Sequence, residues 1–374
     1  NETESNRLVE PNKRHKPSGN MLTRASERLR LWLKSSPATR LEQQINHEGS
    51  FHSEKDKKIA LKFLSLLKDR YQQKKISEDT YKEAVSALEL LIPMKNERGL
   101  REIANITLTP GLEETIKSRL SAKEIELDAP EGPWGKLPEE IRRSILEEQM
   151  LFLELTDRCT VKCSFCAYAD KGPISNKAGF ESVLRIVQQF ADSSPYINVN
   201  DGFYYMTDPF DAKWLTEEGV ELDYLDLIKR YWKIFEFIPE RSLFTSTAVP
   251  IGEEFRVLDF AYELITADID EVHQSRMRFS KTNNNIQRVS AIVIILNALC
   301  RDHPGVSRVY TAMNRDDPGA SYKSGSAWNA EYNDLNAMDI LGPGTEDCVL
   351  IRVHGVDGLI MQAGSEERPK GCTE

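Results

Sequence analysis

The sequence predicts an α/β protein, a partial (β/α)6 barrel over residues 148–374 with an all-helical accessory domain before it. Three observations predict this. Beyond Met150, strand-like and helical stretches alternate, the order that builds a parallel sheet with helices on its outside. Before Met150, apolar residues recur at helical spacing. Between the two, LDAPEGPWGKLPEE (127–140) holds three prolines and two glycines, which break the helical pattern and mark a domain boundary.

Residues 1–20 are polar, offer little to bury and are expected to form a disordered tail. Residues 21–127 form the helical domain. SEKDKKIALKFLSLLKDRY opens with Ser53 and Asp56 in capping-box positions and aligns Ile59, Phe63, Leu66 and Leu67 on one stripe. ISEDTYKEAVSALELLIP opens at Ser77, places Tyr81, Ala84, Val85, Leu88 and Leu91 at helical spacing and stops at Pro93. Residues 128–147 form a linker and a connecting helix. The strands expected beyond them are MLFLELT, DGFYYMTD, RSLFTSTAV, SRMRFSK, VSRVYTAM and CVLIRVHG. The helices expected among them are FESVLRIVQQFA, YLDLIKRYWKIFEF, EEFRVLDFAYELI and NIQRVSAIVIILNAL. About six strands suit a partial barrel, in which chemistry gathers at the carboxyl ends of the strands.

Composition narrows the function. The longest strongly apolar run, Ala291 to Cys300, is too short to cross a bilayer, which takes about 20 residues, so no membrane span is expected. No secretory signal is visible, and a cytoplasmic location is expected. The net charge of −10 is unevenly placed: residues 1–150 carry 27 Lys and Arg against 25 Asp and Glu, and residues 151–374 carry 22 against 34. A nucleic-acid site usually gathers positive charge, so a nucleic-acid partner is not expected.

The acidic half holds all six cysteines, and three of them lie in CTVKCSFC, Cys159 to Cys166, on the loop that leaves the first strand. Three thiolates at such spacing converge on one soft metal centre more readily than they form disulfides. A closed zinc site needs a fourth ligand, and no histidine lies between His52 and His273. A cubane four-iron cluster held by three cysteines leaves one iron open for a ligand, which suits a cluster that takes part in chemistry.

The C-x3-C-x2-C spacing of Cys159, Cys163 and Cys166, with the aromatic Phe165 before the last cysteine and a strand just ahead, resembles the signature of the radical S-adenosylmethionine enzymes. The resemblance covers roughly residues 148–360. It implies a six-unit partial barrel in which these three cysteines hold one 4Fe-4S cluster. S-adenosylmethionine would chelate the fourth iron and be cleaved reductively to a 5'-deoxyadenosyl radical that abstracts hydrogen from the substrate. It also implies a low-potential electron donor such as flavodoxin or ferredoxin.

Cofactor-binding positions follow from the same resemblance. Phe165 would lie near the adenine. Thr207 and Asp208, in YYMTDPFD, stand where the family usually has a Gly-Gly-Glu-Pro stretch, and the Asp208 carboxylate would face the cofactor's ammonium group. Ser246 and Thr247, in STAVPIG, would point into the cavity. Ser280, in RFSKTNN, would contact the ribose, and Arg278, on the same face of its strand, would pair with the cofactor carboxylate.

Cys300, Cys348 and Cys372 are too scattered for a second cluster, and no D-x-H-x-x-G stretch points to cobalamin. Cys348 and Cys372 are candidates for a catalytic thiol that returns a hydrogen atom to a substrate radical. The expected function is hydrogen abstraction from a peptide or small natural-product-like substrate, with the amino-terminal helices as a lid. The alternative is a non-catalytic metal-binding protein, holding zinc or an iron-sulfur cluster for a structural or sensing purpose.

Overall fold

The computed structural model describes residues 36–47, 51, 53–148, 150–161, 172–193, 199–203, 207–236, 241–268, 272, 275–282, 284–313, 348–352 and 359–363. Hydroxyls start the first four described helices, α1 (Pro37–Ile45), α2 (Glu54–Gln72), α3 (Glu78–Leu91) and α4 (Pro110–Ser121). Ser36, Ser53, Ser77 and Thr109 each accept the N–H of the residue three positions on, as N-cap side chains do. The expected starts at Ser53 and Ser77 and the buried stripe of Ile59, Phe63 and Leu67 are found as read. Leu66 is half-buried.

The amino-terminal part is not all helical. Met94–Lys95 (β1), Arg101–Ile103 (β2) and Ile106–Thr107 (β3) form a small antiparallel sheet. Turn chemistry overrides the helical pattern here. The Asn96 side chain accepts the N–H groups of Arg98 and Leu100, and Gly99 takes φ 75°. Ala104 and Asn105, at φ 48° and 64°, make the two-residue turn between β2 and β3, the left-handed pair that a tight hairpin requires.

The central feature is a set of parallel strands joined by helices. Met150–Leu153 (β5) leads through Phe180–Ser193 (α6) to Val199–Asp201 (β7), and Tyr224–Ile234 (α7) leads to Arg241–Thr247 (β10). Glu254–Thr266 (α8) then leads to Arg276–Lys281 (β11), and Ile286–Cys300 (α9) to Val309–Met313 (β12). Strands β7, β10, β11 and β12 pair in parallel in that order. Two hydrogen bonds of 2.9 Å, Leu153 N–H to Gly202 O and Gly202 N–H to Leu151 O, join β5 to the end of β7. On its other side β5 pairs in parallel with Cys348–Arg352 (β13), and Leu359–Ala363 (β14) runs antiparallel to β13. Among the described residues no pairing joins β12 to β13, so these strands do not close a barrel. The mixed α/β class is the one the sequence predicts. The second strand ends at Asp201, earlier than DGFYYMTD suggests, and Thr207 and Asp208 lie beyond it.

Two further short strands, Lys123–Ile125 (β4) and Asn176–Ala178 (β6), pair in parallel and tie the amino-terminal segment to the loop after β5. Strands Trp214–Leu215 (β8) and Glu221–Leu222 (β9) form a hairpin, and Glu139–Glu148 (α5) precedes β5. One buried apolar core runs from Leu41, Phe63 and Leu88 through Trp134 to Val187, Phe260 and Ile292. Helix α3 packs on α9, and α2 packs on α8. Their apolar faces are thus packed against helices that flank the sheet. The proline-rich stretch read as a linker is anchored too, since Trp134 is fully buried, lies tilted against Phe190 with ring centres 6.0 Å apart and donates to Gln189 at 2.9 Å.

Candidate functional site

Strand β5 is followed by Glu154 to Val161, a segment that holds the first cysteine of the motif, Cys159. Asp157 pins the start of this loop: its carboxylate accepts Ser175 N–H at 3.1 Å and the Asn176 amide at 2.9 Å. Cys159 is buried. The loop returns where Gly172 N–H donates to Cys159 O at 3.2 Å, with Gly172 at φ 145°, a conformation open to glycine and strained for other residues. Residues 160–171 are therefore bracketed by one backbone hydrogen bond. Cys163, Phe165, Cys166 and Cys372 lie outside the described residues. Cys348 is described only as the first residue of β13, and its side chain lies outside them. Among the described residues no three metal-ligating side chains converge.

Next to this loop, β7 and β10 deliver a buried carboxylate and its donors. The Thr247 hydroxyl lies 2.9 Å from both oxygens of Asp208, Ala248 N–H donates to one at 2.8 Å, and Phe210 N–H reaches the other at 3.2 Å. No described cation lies within ion-pairing distance of Asp208. Burial, and then the nearby negative charge of Asp211, push its carboxyl up to about 7 against these donors. The Thr207 hydroxyl beside it is buried and has no hydrogen-bond partner among the described residues. Such an orphaned group is costly and calls for an explanation.

At the ends of β10 and β11, Ser246 and Ser280 face each other at 3.3 Å, and the Arg278 guanidinium reaches Ser246 Oγ at 3.1 and 3.2 Å. Arg278 also lies 5.6 Å from the centre of the Phe244 ring. These residues form two groups: Asp208 with Thr247 and Ala248, and Ser246 with Ser280 and Arg278. Ser246 and Thr247 are successive in β10, so the two groups start from opposite faces of that strand.

Several residues of this region carry no obvious signal in the sequence. The Asn285 amide donates to Ala248 O at 2.7 Å and Ser280 O at 2.8 Å, tying the ends of β10 and β11 together. Val249 holds φ 55°, an outlier for a β-branched residue, and stands before a proline, which favours extended backbone. Its N–H donates to Thr247 Oγ1 at 3.0 Å, and its carbonyl accepts both Nε and Nη2 of Arg288 at 3.2 and 3.0 Å. Strain maintained in this way gathers at functional sites.

Beneath the site runs a buried network of charges. Arg119, from α4, donates to Asp211 at 2.9 Å, to Glu253 at 2.8 Å and to Thr160 Oγ1 at 2.9 Å. Glu253 also pairs with Lys213 at 2.9 Å, and Lys213 reaches Glu221 at 3.4 Å. Arg256 joins Glu221 to Asp56 and Asp223, and Lys55 completes the chain at Asp223. Burial pushes Glu253 up, against Lys213 and Arg119. Burial also pushes Asp223 up, yet Lys55 and Arg256 overcome it and hold that carboxyl below its usual range. Glu254 rises to about 7 through burial, partly offset by Arg288.

No protein-family model, curated protein or solved structure matches the chain. Among the described residues no helix is long and apolar enough to cross a membrane. The functional reading therefore rests on the residues themselves.

Proposed function

We propose that the chain is a radical S-adenosylmethionine enzyme built on a partial (β/α)6 barrel, acting by hydrogen abstraction on a peptide or small natural-product-like substrate. The observation that carries this reading is the buried Asp208 carboxylate, held by Thr247 and Ala248 at the end of β10 with no described cation in ion-pairing distance. A second polar group, Ser246 with Ser280 and Arg278, stands at the ends of β10 and β11. The loop that begins the C-x3-C-x2-C motif is tied to the Asp208 turn through Asp211.

The residues present fit such a cofactor. Cys159, Cys163 and Cys166 would hold one 4Fe-4S cluster, and three thiolates are the donor set for a cluster with one open iron. When bound, the reduced cluster with S-adenosylmethionine supplies a 5'-deoxyadenosyl radical. Asp208 is a buried carboxylate with no described cation near it, and an ammonium ligand would hold it ionised. The buried Thr207 hydroxyl would gain a partner from the same ligand. Arg278 would face the ligand's carboxylate with its guanidinium, and Ser280 and Ser246 would accept or donate hydrogen bonds to hydroxyls.

Electrons would come from a low-potential donor such as flavodoxin or ferredoxin, and Cys348 and Cys372 stay candidates for returning a hydrogen atom. The test is the electron paramagnetic resonance spectrum of anaerobically reconstituted, reduced protein with and without S-adenosylmethionine. A cubane signal that changes shape on addition is the expected result. A cluster indifferent to the cofactor, or colourless zinc-loaded protein, sinks the reading in favour of a non-catalytic metal-binding role.

A further inference from the structure

Arg119 belongs to the amino-terminal segment, forty residues ahead of the first motif cysteine, yet it is almost fully buried against the loop that carries that cysteine. Every direction of its guanidinium is used. Nε meets Asp211 at 2.9 Å, Nη1 meets Glu253 at 2.8 Å and Ile251 O at 2.9 Å, and Nη2 meets Thr160 Oγ1 at 2.9 Å. Thr160 is the residue directly after Cys159. It is gripped a second and third time by Asp211, which accepts its N–H at 2.8 Å and its hydroxyl at 2.5 Å.

The arginine is itself held in place from behind. Lys177 of β6 is buried, and its ammonium donates to Arg119 O at 3.3 Å and Leu120 O at 3.0 Å, closing the last turn of α4. A cation at those carbonyls is the favourable placement for a helix end. Ser118, in the same turn, accepts Ile174 N–H at 2.8 Å just past the returning end of the cysteine loop. Helix α4 therefore touches both ends of that loop.

We propose that Arg119, acting through Asp211 and Thr160, is a positioning residue that fixes the first cysteine of the motif before any metal arrives, making α4 a working part of the site. The proposal rests on the reading of Cys159 as a cluster ligand for its purpose, while the contacts themselves concern the metal-free chain. A preorganised ligand loop loses less freedom on binding, so the cluster is assembled and retained more readily.

The test uses the full-length, metal-free protein and two variants, Arg119→Lys and Thr160→Val. Lysine keeps the charge and loses the fork, and valine removes the hydroxyl while leaving the Arg119–Asp211 pair intact. Two readouts are taken: hydrogen exchange of the segment 157–161, and the rate at which Cys159 is alkylated, with α7 as the internal control. Loss of a hydrogen bond to a charged group should raise local opening by about tenfold or more in 157–161, with α7 unchanged. Iron and sulfide retained after reconstitution should fall in the same variants. Unchanged exchange and alkylation in folded Thr160→Val overturn the proposal, and that variant decides the matter if Arg119→Lys does not fold. Loosened exchange in the variants, with a wild type that takes up no cluster, would keep the clamp and sink the functional reading. Cluster uptake with unchanged exchange would do the reverse.

Discussion

The Thr247 hydroxyl oxygen stands 2.9 Å from both carboxylate oxygens of Asp208 and accepts the Val249 N–H at 3.0 Å, so one side chain at the end of β10 organises the turn after β7 as well as its own. Replacing it with valine preserves the shape and leaves a buried carboxylate and a buried N–H each one partner short. Thr247→Val should lower unfolding stability by about 1–3 kcal/mol in urea titrations. It should also weaken S-adenosylmethionine binding, and Thr247→Ser should restore most of both.

Asp208 also makes a prediction about pH. Its folded value of about 7 lies above the ordinary 3.8, so between those limits the folded chain binds a proton that the unfolded chain has lost. Stability of the unloaded protein should therefore fall as pH rises from about 4 to 7, and Glu254, also raised to about 7, adds to the slope. Together the two should cost on the order of 6 kcal/mol across that range. Thermal melts at pH 5 and pH 7.5 check this. Asp208→Asn should flatten the slope, and bound S-adenosylmethionine should flatten it too if its ammonium sits there. A midpoint that rises with pH over this interval would refute the assignment of burial as the governing effect.

The residues that the sequence made legible are those whose signal is local. The Thr-Asp-Pro turn and the polar ends of β10 and β11 follow strands that the alternation of strands and helices marks out, whereas Cys163 and Cys166 lie outside the described residues. The charged network was not legible, for a physical reason. Arg119 stands in EETIKSRLSAKE, which has the look of a solvated helix face, and its partners Asp211 and Glu253 lie 92 and 134 residues away. A buried charge is recognised only by what it meets, and no spacing rule reports that. The strands β1 to β3 were hidden differently, because paired left-handed residues such as Ala104 and Asn105 decide the chain path and alanine gives no warning of it.

Val249 sets strain against burial. A left-handed β-branched residue costs about 1–2 kcal/mol, and glycine would relieve it. The Val249 side chain is fully buried, and its removal forfeits about 1.5–3 kcal/mol. Burial is the larger, so Val249→Gly should destabilise by roughly 1 kcal/mol. The strained conformation keeps the Val249 carbonyl on Arg288 and the preceding turn on Asp208. The informative result is therefore a drop in S-adenosylmethionine affinity out of proportion to the small change in stability, measured by calorimetric titration of the reconstituted protein.

Arg256 should prove the most sensitive structural residue of the chain. Its guanidinium is buried among Asp56 of α2, Glu221 of β9 and Asp223 at the start of α7, and it also donates to Ser53 at 3.0 Å. It thereby joins the amino-terminal helices to the parallel-strand region through charge as well as through the common apolar core. Arg256→Met leaves Asp56 without its ion-pair partner, while Asp223 keeps Lys55 and Glu221 keeps Lys213; breaking buried pairs from one side costs about 3–5 kcal/mol. Lysine at this position keeps one charge and cannot reach three partners, so Arg256→Lys should lose a smaller share. Burial pushes Asp56 up, but Lys213 and Arg256 hold it below 3.8, so its contribution is present above that pH and disappears as pH falls. The difference between wild type and Arg256→Met, followed by urea unfolding, should accordingly be greatest near neutrality and shrink below about pH 4 as the carboxylates take up protons.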